Sequence, residues 1–181
     1  MKQTILAKRY AKALFAVGKE EGKNDEYSQL LSGFAELINA QPEVLDGLTN
    51  PLYPQELRGK VMAAIVKSIG CDQIMGNFLN LLVQKKRAEI LADIADVFQQ
   101  LVDADRNISR GTVTTAVALD DELKNKVRTA LEKITGKQVL LETRVDPSII
   151  GGMIAKVGDL VMDGTIKRQL TGLNESIKGS E

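Results

Sequence analysis

Hydrophobic residues over the first hundred positions recur every three or four residues, the period of an α-helix. From Thr4 to Gly22 the pattern puts Leu6, Tyr10, Ala13, Leu14 and Val17 at helical spacing, with Gly22 as the stop. A second helix is predicted from Asn24, an N-cap residue type, and Asp25 and Glu26 suit the positive end of its dipole. Its apolar positions are Tyr27, Leu30, Leu31, Phe34, Leu37 and Ile38. Pro42 opens a short third helix through Leu48. Asn50-Pro51 and Tyr53-Pro54 break the pattern, because the residue before a proline is pushed out of the helical region. Pro54 then starts a fourth helix, with Leu57, Val61 and Ile65 in register and Gly70 closing it. A fifth is predicted over about 72–85 and a sixth over about 87–107.

The period changes near Asn107. Thr112 to Val117 is β-branched and reads as a strand, and Val139 to Val145 as a second, ended by Asp146-Pro147. Between them Asp120 or Asp121 caps a helix whose apolar face is Leu123, Val127, Ala130, Leu131 and Ile134, with Gly136 at its end. Gly152–Val157 and Leu160–Met162 flank Gly158-Asp159, a tight hairpin led by glycine. A last helix carries Ile166, Leu170, Leu173 and Ile177 on one face, and the final four residues are expected to fray. The predicted architecture is an N-terminal six-helix bundle, residues 1–106, followed by a small C-terminal α/β domain, residues 107–181.

Two helices are more apolar than a surface helix requires. On the first, Leu6, Tyr10, Ala13 and Val17 form one part of the apolar face, and Ala7, Ala11, Leu14, Phe15 and Gly18 another. The arc is roughly 200° wide, against about 100° for a helix facing one core. On the fifth, Ile74, Met75, Phe78, Leu79, Leu81, Leu82 and Val83 span a similar arc, leaving Asn77, Asn80 and Gln84 on the polar side. Two readings fit. Either both helices are central in the bundle, or one flank of each forms an exposed groove for a partner helix.

Composition removes much of the enzymatic competition. The 181 residues include no His and no Trp and a single Cys. An imidazole base, a Ser-His-Asp triad, a CxxC pair and a multi-Cys zinc site are therefore unavailable. Basic and acidic residues balance at 24 each, which argues against broad nucleic-acid binding. The longest wholly apolar run, Val61 to Val66, is far short of the ~20 residues that cross a bilayer. With no secretion signal at its start, the chain is expected to be cytoplasmic and to meet a membrane only through a partner.

Searches for a reactive motif end in structural readings. Gly136-Lys137 fails as a phosphate loop, because Leu131 stands where the first glycine belongs and Gln138 replaces the hydroxyl. Gly151-Gly152 leads into a strand rather than a helix and reads as a tight turn or close backbone approach. The acidic run Asp120-Asp121-Glu122 sits at a helix start, where it stabilises the dipole. Lys85-Lys86-Arg87 reads as a solvated turn, and Cys71 has no His to activate it. No cofactor or metal is expected.

At several of these positions the sequence resembles the δ subunit of F-type ATP synthase, the oligomycin-sensitivity-conferring protein of mitochondria. Ala7 through Phe15 is similar to the family's opening helix, and Asn77-Phe78-Leu79 through Ile90-Leu91 to its fifth and sixth helices. Val113 to Val117 resembles the strand that opens its second part. The most specific match runs from Val145-Asp146-Pro147 through Gly151-Gly152-Met153-Ile154 to Gly158-Asp159 and Asp163-Gly164-Thr165. Thr165 stands where Ser is usual and Lys156 where Arg is usual, and Gly172 interrupts a helix that is often more uniformly charged.

The resemblance implies a non-catalytic connector of the peripheral stalk that resists rotor torque during proton-driven ATP synthesis. The helical domain would bind the N-terminal helix of an α subunit on the catalytic head, and the second part the C-terminal ends of the membrane-anchored b subunits. By position in the family, Tyr10, Ala13 and Leu81 would carry the α-subunit contact; the helical wheels add Leu6, Val17 and Ile74. For the b contact no residues are singled out, and Ile166, Leu170, Leu173 and Ile177 equally suit a core. The expected location is the cytoplasmic side of a bacterial inner membrane, as a peripheral protein. The alternative is a nucleic-acid-binding adaptor built on the α/β half, where Lys124, Lys126, Arg128, Lys133 and Lys137 are offset by acidic neighbours. A carboxylate enzyme would need two Asp or Glu residues facing each other across a pocket.

Overall fold

In a computed structural model, backbone elements are described for residues 5–178 and side-chain environments for residues 5–173. Ile177 as a packing residue and the fraying of the last residues lie outside that range. The chain divides into two compact units, one through Val102 and one from Asp103.

The first unit contains α1 (Ile5–Glu21), α2 (Asn24–Ala40), α3 (Pro42–Thr49), α4 (Gln55–Ile69) and α5 (Gln73–Gln84). A single 3-10 turn (Ala88–Ile90) then leads into α6 (Leu91–Asp105), whose last turn carries the boundary. Its core gathers Leu14 of α1, Tyr27, Leu31 and Phe34 of α2, and Leu48 of α3. Met62 of α4, Leu79 and Leu82 of α5, and Ile94 and Phe98 of α6 complete it. Helix breaks fall where proline and glycine place them: Pro42 occupies the first turn of α3, and Gly70 closes α4.

Two local expectations differ. Lys23, not Asn24, takes the N-cap position of α2, and no side chain caps it. Asn24 instead points its Oδ1 into the α1–α2 contact, where it is buried without a protein partner. On α4 the inward face is turned by one residue. Arg58 and Met62 are buried, Val61 and Ile65 lie at the core's edge, and Leu57 is exposed.

The second unit contains β1 (Ile108–Thr115), α7 (Asp121–Thr135), β2 (Gln138–Val145), β3 (Met153–Val157), β4 (Leu160–Asp163) and α8 (Ile166–Lys178). The sheet order is β2-β1-β3-β4. β1 and β2 run parallel across the α7 crossover, in register Ile108↔Gln138 to Thr115↔Val145. β3 is antiparallel to β1, and β4 to β3. Val113, Leu131, Val139, Ala155 and Val157 form the core. Strand alternation puts residues 111, 113 and 115 of β1 on the buried face.

β1 begins four residues earlier than its β-branched run suggests and ends two residues sooner. Asn107 leaves α6 in the left-handed region, at φ 58°, which asparagine tolerates well. The chain then pairs at once with β2, so residues 108–111 are strand. At the far end Thr115 Oγ1 donates to Val117 O at 2.7 Å, and Asp146 N–H donates to Thr115 O at 2.8 Å. Val117 is left 71% exposed.

Candidate docking site

The wide apolar arc of α1 divides cleanly. Ala7, Ala11, Leu14 and Gly18 are buried in the bundle. Leu6 and Tyr10 are half-buried, Ala13 is exposed, and Val17 is 39% exposed. The inner flank is small because α2 crosses close by. A Cβ on Gly18 would overlap Asn24 Oδ1 and stand 2.9 Å from Tyr27 Cδ2. At the edge of the inner flank Phe15 meets Phe98 edge-on, with ring centroids 6.0 Å apart.

α5 divides in the same way. Met75, Gly76, Leu79, Leu82 and Val83 face inward, Ile74 and Phe78 are half-buried, and Leu81 is 40% exposed. Tyr10 and Phe78 join the two outer flanks in an edge-to-face contact, 6.3 Å between centroids at 71°. None of the six positions anticipated for docking is fully buried, and Tyr10 and Ile74 lie at the core's edge. Leu6, Ala13 and Val17 extend the surface along α1, and Ile74 and Leu81 along α5. Phe78 was not among those six, although it lies four residues after Ile74 and three before Leu81 on the same helix.

What holds α5 in this position is Asp72. Its Oδ1 accepts from Met75 N–H at 2.9 Å, capping the helix. Its Oδ2 accepts from the Tyr27 hydroxyl at 2.7 Å and from Lys23 Nζ at 3.0 Å, both reaching from the start of α2. Burial works against the charge on Asp72, but these three donors outweigh it and hold the carboxyl below the usual carboxylate range. Burial and donation to Asp72 push the Tyr27 phenol up, and the hydrogen bond to Asp72 raises Lys23.

The C-terminus of α5 is equally defined. Lys86 N–H donates to Val83 O at 3.0 Å and Arg87 N–H to Leu82 O at 2.8 Å. This is a Schellman ending, and the left-handed position usually given to glycine is filled by Lys86 at φ 56°. It brings Arg87 back over α1, with its guanidinium carbon 5.9 Å from the centroid of the Tyr10 ring. Arg87 Nη1 is buried without a hydrogen-bond partner. The basic turn is thus not wholly solvated: its third residue packs on a docking-face tyrosine.

The second unit has an apolar cleft of its own. Of the positions expected to form the buried face of α7, only Leu131 is buried and Val127 partly so. Leu123, Ala130 and Ile134 are exposed, because the four-stranded sheet is too narrow to cover the whole stripe. With Met153, Ala155, Met162 and Gly164 they line a cleft of about 470 Å³. On α8, Ile166, Leu170 and Leu173 are exposed as well, so these three are not core.

The glycine-rich signature stretch builds the entry to α8 rather than binding a phosphate. Gly152 lies at φ 87°, and a Cβ there would overlap Gly164 O and stand 2.9 Å from Thr165 Cα. Two backbone bonds lock the crossing: Gly164 N–H donates to Met153 O at 2.9 Å and Ile166 N–H to Gly151 O at 3.1 Å. Asp163 accepts from Thr165 N–H at 3.0 Å, which holds its carboxyl below the usual carboxylate range, and Thr165 Oγ1 accepts from Arg168 N–H at 3.2 Å as the cap of α8. A threonine hydroxyl fills this capping role as a serine would. Gly158, at φ 57°, leads the two-residue turn joining β3 to β4.

The remaining reactive groups are occupied with structure. Asp120 caps α7 by accepting from Leu123 N–H at 2.7 Å. Cys71 is half-buried, with burial pushing its thiol up, which makes it a poor nucleophile. A cleft of about 600 Å³ holds Glu43 and Asp46, but both stand on α3 one turn apart rather than facing across it. Asp46 is also engaged by Asn50 Nδ2 at 3.2 Å. Among the described residues no cluster could hold a metal ion, and no helix is long and apolar enough to cross a membrane.

The fold is thus a helical unit with an outward apolar flank, followed by a small α/β unit with an apolar cleft. The chain belongs to the ATP synthase delta (OSCP) subunit family, which its sequence matches over residues 6–177. It is 61% identical to ATP synthase subunit delta of Desulfotalea psychrophila, with both chains covered completely. It is 41% identical to ATP synthase subunit delta of Desulfosudis oleivorans over 100% of this chain and 99% of that one. The fold is similar to a chain in the cryo-EM structure of the Toxoplasma gondii mitochondrial ATP synthase hexamer, with TM-score 0.71 and 22% identity over 96% of this chain and 98% of that one. Subunits of this family are structural, non-catalytic components of the peripheral stalk of F-type ATP synthase. Nothing in these comparisons supports a nucleic-acid adaptor.

Proposed function

We propose that this chain joins the catalytic head of the synthase to its stalk through two separate apolar faces. The helical part, residues 1–106, receives the N-terminal helix of an α subunit along the outer flanks of α1 and α5. The part from residue 107 onward receives the C-terminal ends of the b subunits, at the α7 cleft and the exposed stripe of α8. Through those b subunits the protein is peripheral to the membrane, on its cytoplasmic side.

One observation carries the head contact: half of the apolar arc of α1 is spent on the core, and the other half runs outward from Tyr10 at the core's edge to exposed Ala13 and Val17. A helix laid along that flank converts exposed apolar surface into interface. Interfaces of specific complexes bury about 1,200–2,000 Å² and are anchored by a few aromatic or aliphatic residues. A mainly apolar joint is also little weakened by salt. That suits a static link under torque, which must hold without chemistry.

Tyr10→Asp tests this directly. A carboxylate at the centre of the joint is expected to weaken binding of the α-subunit N-terminal peptide by at least about tenfold in titration calorimetry. Circular dichroism should show the bundle still folded, because Tyr10 is only half-buried. Unchanged affinity would remove α1 from the interface. For the stalk side, a pull-down from solubilised membranes is expected to recover b subunits with the intact chain and lose them when Leu123 and Ile134 are both changed to Asp.

A further inference from the structure

Arg87 is a strongly polar group tied to the outer flank of α1, and the packing of the bundle leaves it incompletely used. Its guanidinium lies over the Tyr10 ring, while Nη1 is buried with no hydrogen-bond partner. Among the described residues no carboxylate pairs with it. Its place is not accidental to a floppy side chain, since the Schellman turn fixes its backbone at the cost of a left-handed lysine. Nη1 is already closed off inside the bundle, so in the free protein water meets the remaining guanidinium N–H groups of this half-buried side chain. When an apolar helix covers Tyr10, that water is displaced, and those N–H groups are costly to leave unpaired unless the incoming partner supplies an acceptor.

We propose that Arg87 is the specificity-determining residue of the docking flank, and that it takes a carboxylate from the partner helix. The occupant is therefore an amphipathic helix with an Asp or Glu beside its apolar stripe, rather than an apolar helix of any charge. A carboxylate fits better than a neutral carbonyl, because the planar guanidinium fork binds it in two-point fashion. Lys85 and Lys86, both exposed beside Arg87, favour the same sign of charge. Stacked on Tyr10, Arg87 would set the register of the helix along α1 as well as its charge. This inference rests on the reading of α1 and α5 as the docking surface.

The test uses the intact chain and two synthetic peptides about 20 residues long, over five helical turns. One is the N-terminal segment of the α subunit, and the other is the same segment with its Asp and Glu changed to Asn and Gln. The unmodified peptide is expected to bind the wild type about tenfold more tightly than the amide form, the scale of a charge-assisted hydrogen bond. Arg87→Gln should erase that difference, and Arg87→Lys should restore only part of it, because a point charge lacks the fork. Equal losses on both peptides, or no loss on either, would overturn the proposal, since Arg87 would then act only by packing on Tyr10. If instead neither peptide binds the wild type, or Tyr10→Asp binds as tightly as wild type, the docking surface itself is wrong and this inference falls with it. Tyrosine fluorescence and circular dichroism establish that both Arg87 variants are folded.

Discussion

Replacing Asp72 by Ala removes three interactions at once from the start of α5. The cap on Met75 N–H is worth about 1 kcal/mol. Loss of the acceptor for the Tyr27 hydroxyl matters more, because that ring is fully buried and the group has nowhere else to donate. An orphaned buried donor costs about 1–3 kcal/mol. The Lys23 contact is solvent-screened and adds little. Together these put Asp72→Ala at about 3 kcal/mol less stable, a large share of the margin of an ordinary domain. With a urea dependence of about 1.5–2 kcal/mol per M, the midpoint should fall by about 1.5–2 M.

Tyrosine fluorescence is the natural probe. The chain has no Trp, and Tyr10, Tyr27 and Tyr53 all lie in the first unit. The decisive comparison is a double-mutant cycle. Tyr27→Phe alone should cost about 1 kcal/mol, and in that background Asp72→Ala should cost only the cap, because no hydroxyl is left orphaned. Additive losses would refute the convergence of α2 on the α5 cap. A pH arm checks the same point. The depressed carboxyl of Asp72 contributes stability above its unfolded value of about 3.9, and that contribution is lost as pH falls through the lower folded value. The gap between wild type and Asp72→Ala should therefore narrow in acid.

The raised Tyr27 phenol makes the opposite prediction at high pH: its contribution is full below about pH 10 and declines above it, so wild type should lose stability there more steeply than Tyr27→Phe in urea titrations. Lys86→Gly relieves a left-handed lysine and should raise the urea midpoint by the equivalent of about 0.5–1 kcal/mol, with helix content unchanged by circular dichroism. Gly152→Ala combines an unfavourable φ with a collision against the Gly164 carbonyl, and should cost more than about 2 kcal/mol. Its readout is loss of the dispersed amide resonances of the strands around residues 108–163.

The helices of the first unit and the order of elements in the second were legible because each depends on local physics. Prolines and glycines punctuate the chain wherever backbone geometry requires it, as at Pro42 and in the turn at Gly158. Asp120 caps because a short acidic side chain reaches back to the amides that follow it. The start of β1 was harder, since Ser109, Arg110 and Gly111 are poor strand formers and are strand only because β2 lies beside them.

The docking flank marks the division more sharply. Periodicity measured how wide the apolar arcs of α1 and α5 are, and it narrowed the candidates to positions such as Tyr10, Val17 and Leu81. It left open which part of each arc turns inward, because a helical wheel contains no neighbours. Tertiary packing decided that: α2 presses against Gly18 and claims the small-residue flank, which leaves the Tyr10 flank outside. It also decided what no pattern along the chain displays. Asp72 meets Tyr27 across 45 residues and Arg87 comes to rest on Tyr10, contacts made by groups far apart in sequence, whose partners exist only once the chain is folded.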